Sequence, residues 1–312
     1  MASPHPFRFA ADLQEPFPDR SLADTAREME ALGYSTVFVP DHFDEGLGPI
    51  TAMATAAAAT TTLHVGPLVL DCDFRHPAVL ARELASIDVL SEGRLEVGLG
   101  AGWKRLDYDR SGIPMDAPKV RVDRMIEHAK VLKGLFAGGP FSFSGDHYTI
   151  TDLEGTPAPH RRGGPPILVA GGAKRVLRFA GQIADIVGVN ASIHSGEVDT
   201  AAAQDSLAAR FDEKVAWVRE GAGDRFESLE INAWIAVASL TDDGDGFAEA
   251  VAPLYESDAA SVRSSPLTLI GSVEEISQML HDRRERWGYS YIVLPGAQAR
   301  ELAPIVEALA GT

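Results

Sequence analysis

The stretch PILVAGGAKRVLRFAGQIADIVGV, residues 166–189, contains two short apolar runs on either side of a segment with helical spacing. The runs 166–170 and 185–189 are apolar almost throughout, which is typical of strands buried on both faces of a parallel sheet. Between them, residues 174–181 place apolar side chains at the spacing of an amphipathic helix. This order of strand, helix and strand predicts a βαβ unit.

The same alternation extends from this unit toward both ends of the chain. The predicted strands are 7–13, 36–40, 64–70, 94–99, 166–170, 185–189, 229–238 and 290–294. The predicted helices are 21–33, 50–61, 77–90, 119–137, 174–181, 201–220, 247–256, 273–286 and a last one that ends near Leu309. Eight such strands in 312 residues fit an α/β fold, the (β/α)8 TIM barrel with insertions, whose typical length is about 250 residues. A doubly wound open sheet is the alternative.

Two long segments between the fourth and fifth predicted strands exceed a short connection. Residues 104–118 contain one glycine and two prolines, which predicts a loop. Residues 138–165 contain two alternating runs around a Gly-Asp pair, which predicts a hairpin over 141–150. We therefore expect a single domain over 1–312, with a loop and hairpin insertion at about 104–165.

The composition favours a soluble globular protein. Hydrophobic residues make up 45% of the chain, and the net charge of −17 disfavours nucleic-acid binding, because phosphate contacts need basic patches. Cys72 is the one cysteine, so a disulfide framework is excluded. No apolar run approaches the ~20 residues that a membrane span needs, which predicts no membrane association. The start, MASPHPFRF, has no charged head followed by an apolar run, so we expect no secretory signal and a cytoplasmic location.

Two glycine-containing motifs follow predicted strands. The first, Gly98-Leu-Gly-Ala-Gly102, resembles part of a dinucleotide fingerprint, but that fingerprint needs a helix to begin at once. The other interpretations are a strand end where the backbone approaches a ligand closely and a simple tight turn. The second, Ala170-Gly-Gly-Ala-Lys-Arg175, joins a strand to a helix, where free N–H groups and the helix dipole favour an anion. With Arg161, Arg162 and Arg178 nearby in sequence, it predicts a phosphate-bearing ligand; a flexible loop with a solvated basic helix face is the alternative.

Asp41 and His42 follow the second predicted strand, where a barrel places its active site. Histidine titrates near neutral pH, so His42 is a candidate for proton transfer. Arg75 is a candidate to hold a carboxylate, although pairing with Asp71 or Asp73 at a helix entry explains it as well. The histidines show no metal-ligand spacing, so we predict no metal site.

The motifs together resemble the luciferase-like monooxygenase superfamily, and in particular its coenzyme F420-dependent oxidoreductase branch. Each piece alone is common, but they occur in the family order over nearly the whole chain. The stretches that carry the resemblance are PDHF (40–43), VGPLVL (65–70), RHP (75–77), LSEGRLEVGLGAGW (90–103), ILVAGG (167–172) and IGSVEEI (270–276).

The resemblance implies a bacterial luciferase-like TIM barrel with a flavin or deazaflavin ring at the C-terminal ends of its strands. It implies a non-prolyl cis peptide bond at Leu68–Val69 behind the ring. It also implies that His42 faces the reactive carbon. Trp103 occupies the place where the sugar-phosphate dehydrogenases of this family carry a glutamate, which disfavours glucose 6-phosphate as substrate. The cofactor-binding residues that it implies are Asp41, Leu68, Val69, Asp71, Ala101, Gly102, Trp103, Ala170, Gly171, Gly172, Ala173 and Lys174.

The predicted activity is hydride transfer between coenzyme F420 and a small organic substrate. His42, Asp41 and Asp107 are the candidate catalytic residues, with the proton donor open between His42 and a substrate-side group such as Asp107. An FMNH2-dependent monooxygenase that uses O2 and a separate reductase is the first alternative. A ligand-binding barrel without turnover is the second. The resemblance also implies a homodimer, and the excess of arginine over lysine suggests a GC-rich, actinobacterial source.

Overall fold

The structure, a computed structural model, describes residues 5–44 and 46–312, so the first four residues of the stretch expected to lack a signal lie outside it. The strands are β1 (Arg8–Asp12), β2 (Thr36–Val39), β3 (His64–Pro67), β4 (Leu70–Asp71), β5 (Val97–Gly100), β6 (Pro140–Ser144), β7 (Thr149–Glu154), β8 (Ile167–Gly171), β9 (Ile186–Val189), β10 (Glu230–Trp234), β11 (Val237–Leu240), β12 (Thr268–Gly271) and β13 (Tyr289–Pro295). The helices are α1 (Leu22–Ala31), α2 (Pro49–Ala59), α3 (Pro77–Leu90), α4 (Arg105–Ser111), α5 (Pro118–Phe136), α6 (Lys174–Ile183), α7 (Thr200–Asp205), α8 (Ala208–Ala222), α9 (Gly244–Val251), α10 (Ala259–Ser264), α11 (Val273–Trp287) and α12 (Ala299–Leu309).

The described chain divides into two units, the first of which comprises the described residues up to Leu13 together with 28–36 and 168–312. Its main sheet has five parallel strands in the hydrogen-bonded order β1–β13–β10–β9–β8. The central strand β13 is buried from Tyr289 to Leu294, as expected for a parallel strand that is covered on both faces. Helices α6 and α8 pack against each other and against β9. The βαβ unit predicted over 166–189 is confirmed as β8, α6 and β9.

Two predicted elements of the first unit are each divided in the structure. The strand predicted over 229–238 is two strands, because β11 leaves the main sheet and pairs with β12 in a separate parallel sheet. The segment predicted as one helix over 201–220 likewise forms two helices, α7 and α8. Leu207 between them is extended, and the Ser206 carbonyl accepts a hydrogen bond from the Ser265 hydroxyl at 2.9 Å. Both breaks lead into a small apolar cluster around Tyr255 that periodicity did not predict.

The second unit comprises residues 14–27 and 37–167. Strand β3 pairs with β2, β4 pairs with β5 in parallel, and α3 packs against α2 and α5. The predicted hairpin is present as β6 and β7. The Glu127 carboxylate on α5 accepts three backbone hydrogen bonds from residues 146–148 at 2.8 to 3.1 Å and so holds the turn of this hairpin.

The prediction of a loop over 104–118 is wrong for the first half of that segment, which forms helix α4. The glycine and prolines that predicted a loop all lie after this helix, and Gly112 ends it in a left-handed conformation with φ of 76°. Helix α4 buries Asp107 and Tyr108, so tertiary contacts stabilise a segment too short to show helical periodicity.

Candidate active site

Asp41 lies directly after β2 and is almost completely buried. Its carboxylate accepts two hydrogen bonds from the Arg75 guanidinium, at 2.6 and 3.0 Å, and one from the Asp71 backbone N–H at 3.1 Å. The predicted pairing of Arg75 with Asp71 or Asp73 is therefore wrong, because the guanidinium group of Arg75 forms a bidentate ion pair with Asp41. Arg124 pairs with Asp73 instead, at 2.6 Å.

His42, the next residue, forms a close pair with Asp107 of α4. The distance from His42 Nδ1 to Asp107 Oδ2 is 2.6 Å, and the second carboxylate oxygen accepts the Phe43 backbone N–H at 3.0 Å. Asp107 is 3% exposed, whereas the His42 side chain is 18% exposed. A carboxylate that accepts the Nδ1 proton fixes the imidazole tautomer and directs Nε2 toward the reacting partner. Asp107 thus lies behind His42, where it can orient the ring.

The segment after β5 leaves no space for a side chain at Gly102. Gly102 has φ of 73°, and a Cβ there would overlap the Tyr108 hydroxyl and the Asp71 carboxylate. Its carbonyl accepts a hydrogen bond from Arg121 at 2.7 Å. The next residue, Trp103, places its ring edge-on to the His42 ring, with 5.6 Å between the ring centroids. Ala101, Gly102 and Trp103 are half-buried, so this segment borders the His42 pair without being sealed in the core.

The glycines inside β5 serve sheet packing. A Cβ at Gly98 would lie 2.1 Å from the Pro67 carbonyl oxygen. A Cβ at Gly100 would lie 2.6 Å from the Val69 side chain. The helix that a dinucleotide fingerprint requires does not begin until Arg105, so that interpretation is wrong. The peptide bond Leu68–Val69 is cis, as the resemblance implies, and both residues are half-buried.

A buried cluster of acidic residues lies beside this segment. The Tyr108 hydroxyl is 2.7 Å from Asp71 Oδ2 and 3.0 Å from Asp73 Oδ2. A hydroxyl has one proton to donate, so two ionised carboxylates cannot both accept from it. The Tyr108 hydroxyl therefore donates its one proton to Asp71, at the shorter distance, while Asp73 is held by an ion pair with Arg124. Burial raises the pKa of Asp71 to about 6, and the nearby charges of Asp73 and Asp41 act in the same direction.

The second glycine-containing motif, residues 170–175, joins β8 to α6 in the first unit. Gly172 is buried, and a Cβ there would lie 2.5 to 2.6 Å from backbone atoms of residues 190–192. Ala173, the N-cap of α6, provides no side-chain acceptor for the first N–H groups of the helix. Lys174 and Arg178 both lie close to Glu220, at 3.6 and 3.2 Å, so part of the predicted positive charge is neutralised. Arg161 and Arg162 belong to the second unit, and their part in an anion site stays a prediction.

A buried lysine supports the same motif, and sequence analysis missed it. Lys214 of α8 is completely buried and donates to the Asn190 carbonyl at 2.8 Å and to Asp205 at 2.5 Å. Asp205 also accepts the Ser192 backbone N–H at 2.7 Å. The pair therefore holds the 190–192 segment against Gly172. The signal in the sequence was a lysine on the apolar face that Phe211, Val215 and Val218 define.

The sequence profile of the luciferase-like monooxygenase family matches residues 4–288, and the chain belongs to this family. Among solved structures, a coenzyme F420-dependent tetrahydromethanopterin reductase from Methanopyrus kandleri superposes with a TM-score of 0.74 at 17% identity, over 97% of each chain. A monooxygenase from Streptomyces bottropensis superposes with a TM-score of 0.71 at 22% identity, over 96% of this chain and 99% of its own. These likenesses confirm the predicted fold class, a luciferase-like α/β TIM barrel.

Among sequence relatives, an F420-dependent glucose-6-phosphate dehydrogenase of Amycolatopsis mediterranei is 31% identical over 179 residues. That match covers 55% of this chain and 53% of the relative, so the chain spans about half the length of the curated relatives it matches. Among the described residues, the helices are all too short or too polar to cross a membrane.

Proposed function

We propose that this chain is a coenzyme F420-dependent oxidoreductase that transfers a hydride between the deazaflavin and a small organic substrate. The observation that carries the proposal is the His42–Asp107 pair, a histidine with one nitrogen held by a buried carboxylate at the end of a parallel strand. The name of the 31%-identical relative and that of the reductase from Methanopyrus kandleri support the cofactor.

The residues present fit such a cofactor. The first N–H groups of α6 have no side-chain cap and suit the phosphate of the cofactor, while Gly102 and Gly172 let the segments on which the assigned residues lie pack closely against the chain's own atoms. We assign the phosphate to Gly171, Gly172, Ala173 and Lys174 with Ala170 beside them. We assign the ring to Leu68, Val69, Ala101, Gly102 and Trp103, with Asp41 and Asp71 next to it. When bound, the deazaflavin supplies or accepts the hydride.

The protein's own chemical role is proton transfer at His42 Nε2. When a carbonyl carbon receives the hydride, its oxygen needs one proton, and an alcohol product balances the step. Protonated His42 donates that proton from Nε2 and is left neutral, while Asp107 keeps the Nδ1 proton in place. In the reverse direction, neutral His42 takes the hydroxyl proton. Asp41, which Arg75 neutralises, positions the segment that precedes His42.

The first alternative function is an FMNH2-dependent monooxygenase, and the monooxygenase from Streptomyces bottropensis supports it. Both cofactors carry a tricyclic ring and a phosphate, so the two sites are alike. Coenzyme F420 also has an acidic oligoglutamate tail. The exposed basic residues Lys174 and Arg175 at the start of α6 suit that tail, which favours F420. A barrel without turnover, the second alternative, needs no proton donor at the end of a strand, which is where His42 lies.

Replacing Gly172 by alanine is expected to raise the dissociation constant of F420 at least about tenfold. The added Cβ would meet three backbone atoms of residues 190–192, which cannot rotate away as a side chain does. Fluorescence titration measures the constant, and circular dichroism verifies the fold. Gly48→Ala is the matched control, because a Cβ at Gly48 makes only an ordinary 3.7 Å contact. Unchanged F420 affinity in Gly172→Ala would contradict the phosphate assignment.

Several predictions from the sequence complete the proposal. We propose that residues 1–312 form one luciferase-like domain, since the family profile extends across both units. The homodimer, the cytoplasmic location and the actinobacterial source stay predictions.

A further inference from the structure

The completely buried lysine of α8 is not explained by stability alone. Lys214 pairs with Asp205 at 2.5 Å and also donates to the backbone carbonyls of Asn190 and Asp205, at 2.8 and 3.0 Å. Taking an ammonium group out of water is costly, and replacing a buried ion pair by apolar side chains is often neutral or stabilising. Burial lowers the pKa of Lys214, which reflects that cost. A role other than stability is therefore expected for this lysine.

The hydrogen bonds of the Lys214–Asp205 pair end on the backbone atoms that face Gly172. A Cβ at Gly172 would lie 2.6 Å from the Asn190 carbonyl oxygen and 2.5 Å from the Ser192 nitrogen. Lys214 donates to the first of these atoms, and Asp205 accepts from the second at 2.7 Å. The pair therefore holds the two polar atoms against which Gly172 packs.

The segment 190–192 depends on these hydrogen bonds for its position. At its start, the Asn190 N–H donates to the Gly171 carbonyl at 3.0 Å, which continues the pairing of β8 with β9. Residues 191–193 are only half-buried, and residues 194 and 195 are exposed. Apolar packing therefore does little to hold the segment beyond the end of β9.

We propose that Lys214 and Asp205 are positioning residues for the phosphate of the cofactor. By holding residues 190–192 against Gly172, they fix the turn that presents the first N–H groups of α6 to that phosphate. Neither side chain needs to contact the ligand, since both act through the backbone. The inference rests on the proposed function for the phosphate site, and it assigns part of the affinity to a pair outside that site.

Lys214→Met is expected to raise the dissociation constant of F420 about tenfold, the loss expected for one charge-assisted hydrogen bond. Methionine keeps an unbranched apolar side chain but donates no hydrogen bond. Fluorescence titration measures the constant, and circular dichroism verifies the fold. Asp205→Asn is a milder second variant, because its amide oxygen can still accept from Ser192, and it should raise the constant by a smaller factor. Unchanged affinity in both folded variants would overturn the proposal.

A double-mutant cycle distinguishes positioning from a merely structural role. Gly172→Ala is expected to weaken F420 binding at least about tenfold when residues 190–192 are held in place. In the Lys214→Met background the segment can yield to the added Cβ, so the same change should cost less than about threefold. Effects that simply multiply would show that the pair does not act on Gly172, and they would overturn the proposal.

The ion pair between Arg8 and Glu230 provides a matched control. It joins the first residues of β1 and β10 at 2.5 Å, so it lies at the opposite end of the parallel strands from the 170–175 motif. Glu230→Gln should leave the F420 affinity and the effect of Gly172→Ala unchanged, with urea unfolding used to compare stabilities. If Glu230→Gln weakens F420 binding as much as Lys214→Met, general destabilisation explains the loss and the proposal fails.

The outcomes for the ion pair and for the cofactor are separable, because F420 and FMN both carry a phosphate. If FMN binds and F420 does not, the proposed function fails, and the same cycle measured with FMN decides on the pair. If F420 binds and Lys214→Met has no effect, the proposed function stands and the positioning role fails. Binding of neither cofactor to the unmodified protein would overturn both.

Discussion

Replacing His42 by alanine is expected to lower kcat by about 10²–10⁴-fold, the usual contribution of a general acid or base. The loss follows from removing the proton that the substrate oxygen receives as its carbon takes the hydride. The dissociation constant of F420 should stay within about twofold, because the assigned phosphate contacts are main-chain N–H groups of another segment. Steady-state kinetics of F420-linked hydride transfer, together with fluorescence titration, measure both quantities.

The chain offers a matched control for this change. His64 also pairs with a buried carboxylate, Glu96, at 3.0 Å. It is the first residue of β3, however, whereas the cis peptide Leu68–Val69 follows the last residue of that strand. His64→Ala should therefore leave kcat nearly unchanged. Equal activity of His42→Ala and the unmodified protein would remove His42 from the chemistry.

Asp107→Asn tests the positioning role that the 2.6 Å contact indicates. The amide no longer stabilises a positively charged imidazole, so we expect a lower kcat and a shift of the pH–rate profile toward lower pH, with KM little changed. A merely structural role would lower stability without moving the pH profile. An unchanged profile in a folded Asp107→Asn protein would contradict positioning.

Replacing Asp71 by asparagine is expected to stabilise the protein at pH 8 by up to about 3 kcal/mol. Burial raises the pKa of Asp71 from 3.8 to about 6, so the folded state keeps a proton that the unfolded state releases. Its contribution to the free energy of unfolding is full below pH 4 and is lost as the pH rises through about 6. A shift of about two pKa units corresponds to about 3 kcal/mol. Asparagine imitates the uncharged acid, because its amide oxygen can accept from Tyr108 at every pH.

Urea unfolding between pH 4 and pH 8 measures this effect as the difference between Asp71→Asn and the unmodified protein. Asp109→Asn, at an exposed position on α4, should follow the unmodified protein at every pH. If Asp71→Asn is no more stable than the unmodified protein at pH 8, or if the difference does not change between pH 4 and pH 8, burial does not raise the pKa of Asp71 and the expectation is wrong.

The strands were predictable from sequence because buried parallel strands are continuous apolar runs, as in 166–170 and 185–189. The resemblance predicted the cis peptide at Leu68–Val69, which local propensity would never suggest. The division of the strand predicted over 229–238 was not predictable, since β11 turns away to pair with a strand about 30 residues later.

The candidate site was only half predictable. His42 was found from its place after a strand, and Asp107 was named as a substrate-side candidate. Its place behind His42 was not predicted, because it lay in a segment predicted to be a loop. The partner of Arg75 was misassigned because sequence proximity favoured Asp71 and Asp73 over Asp41, which is 34 residues away. Such pairs depend on which strand ends meet in space, and a single sequence holds no record of that.

Titrating the unmodified protein separately with coenzyme F420 and with FMN, following the fluorescence of each, tests the cofactor assignment most directly. We predict saturable binding of F420 in the micromolar range and much weaker binding of FMN. Saturable binding of FMN with none of F420, or binding of neither, would contradict it.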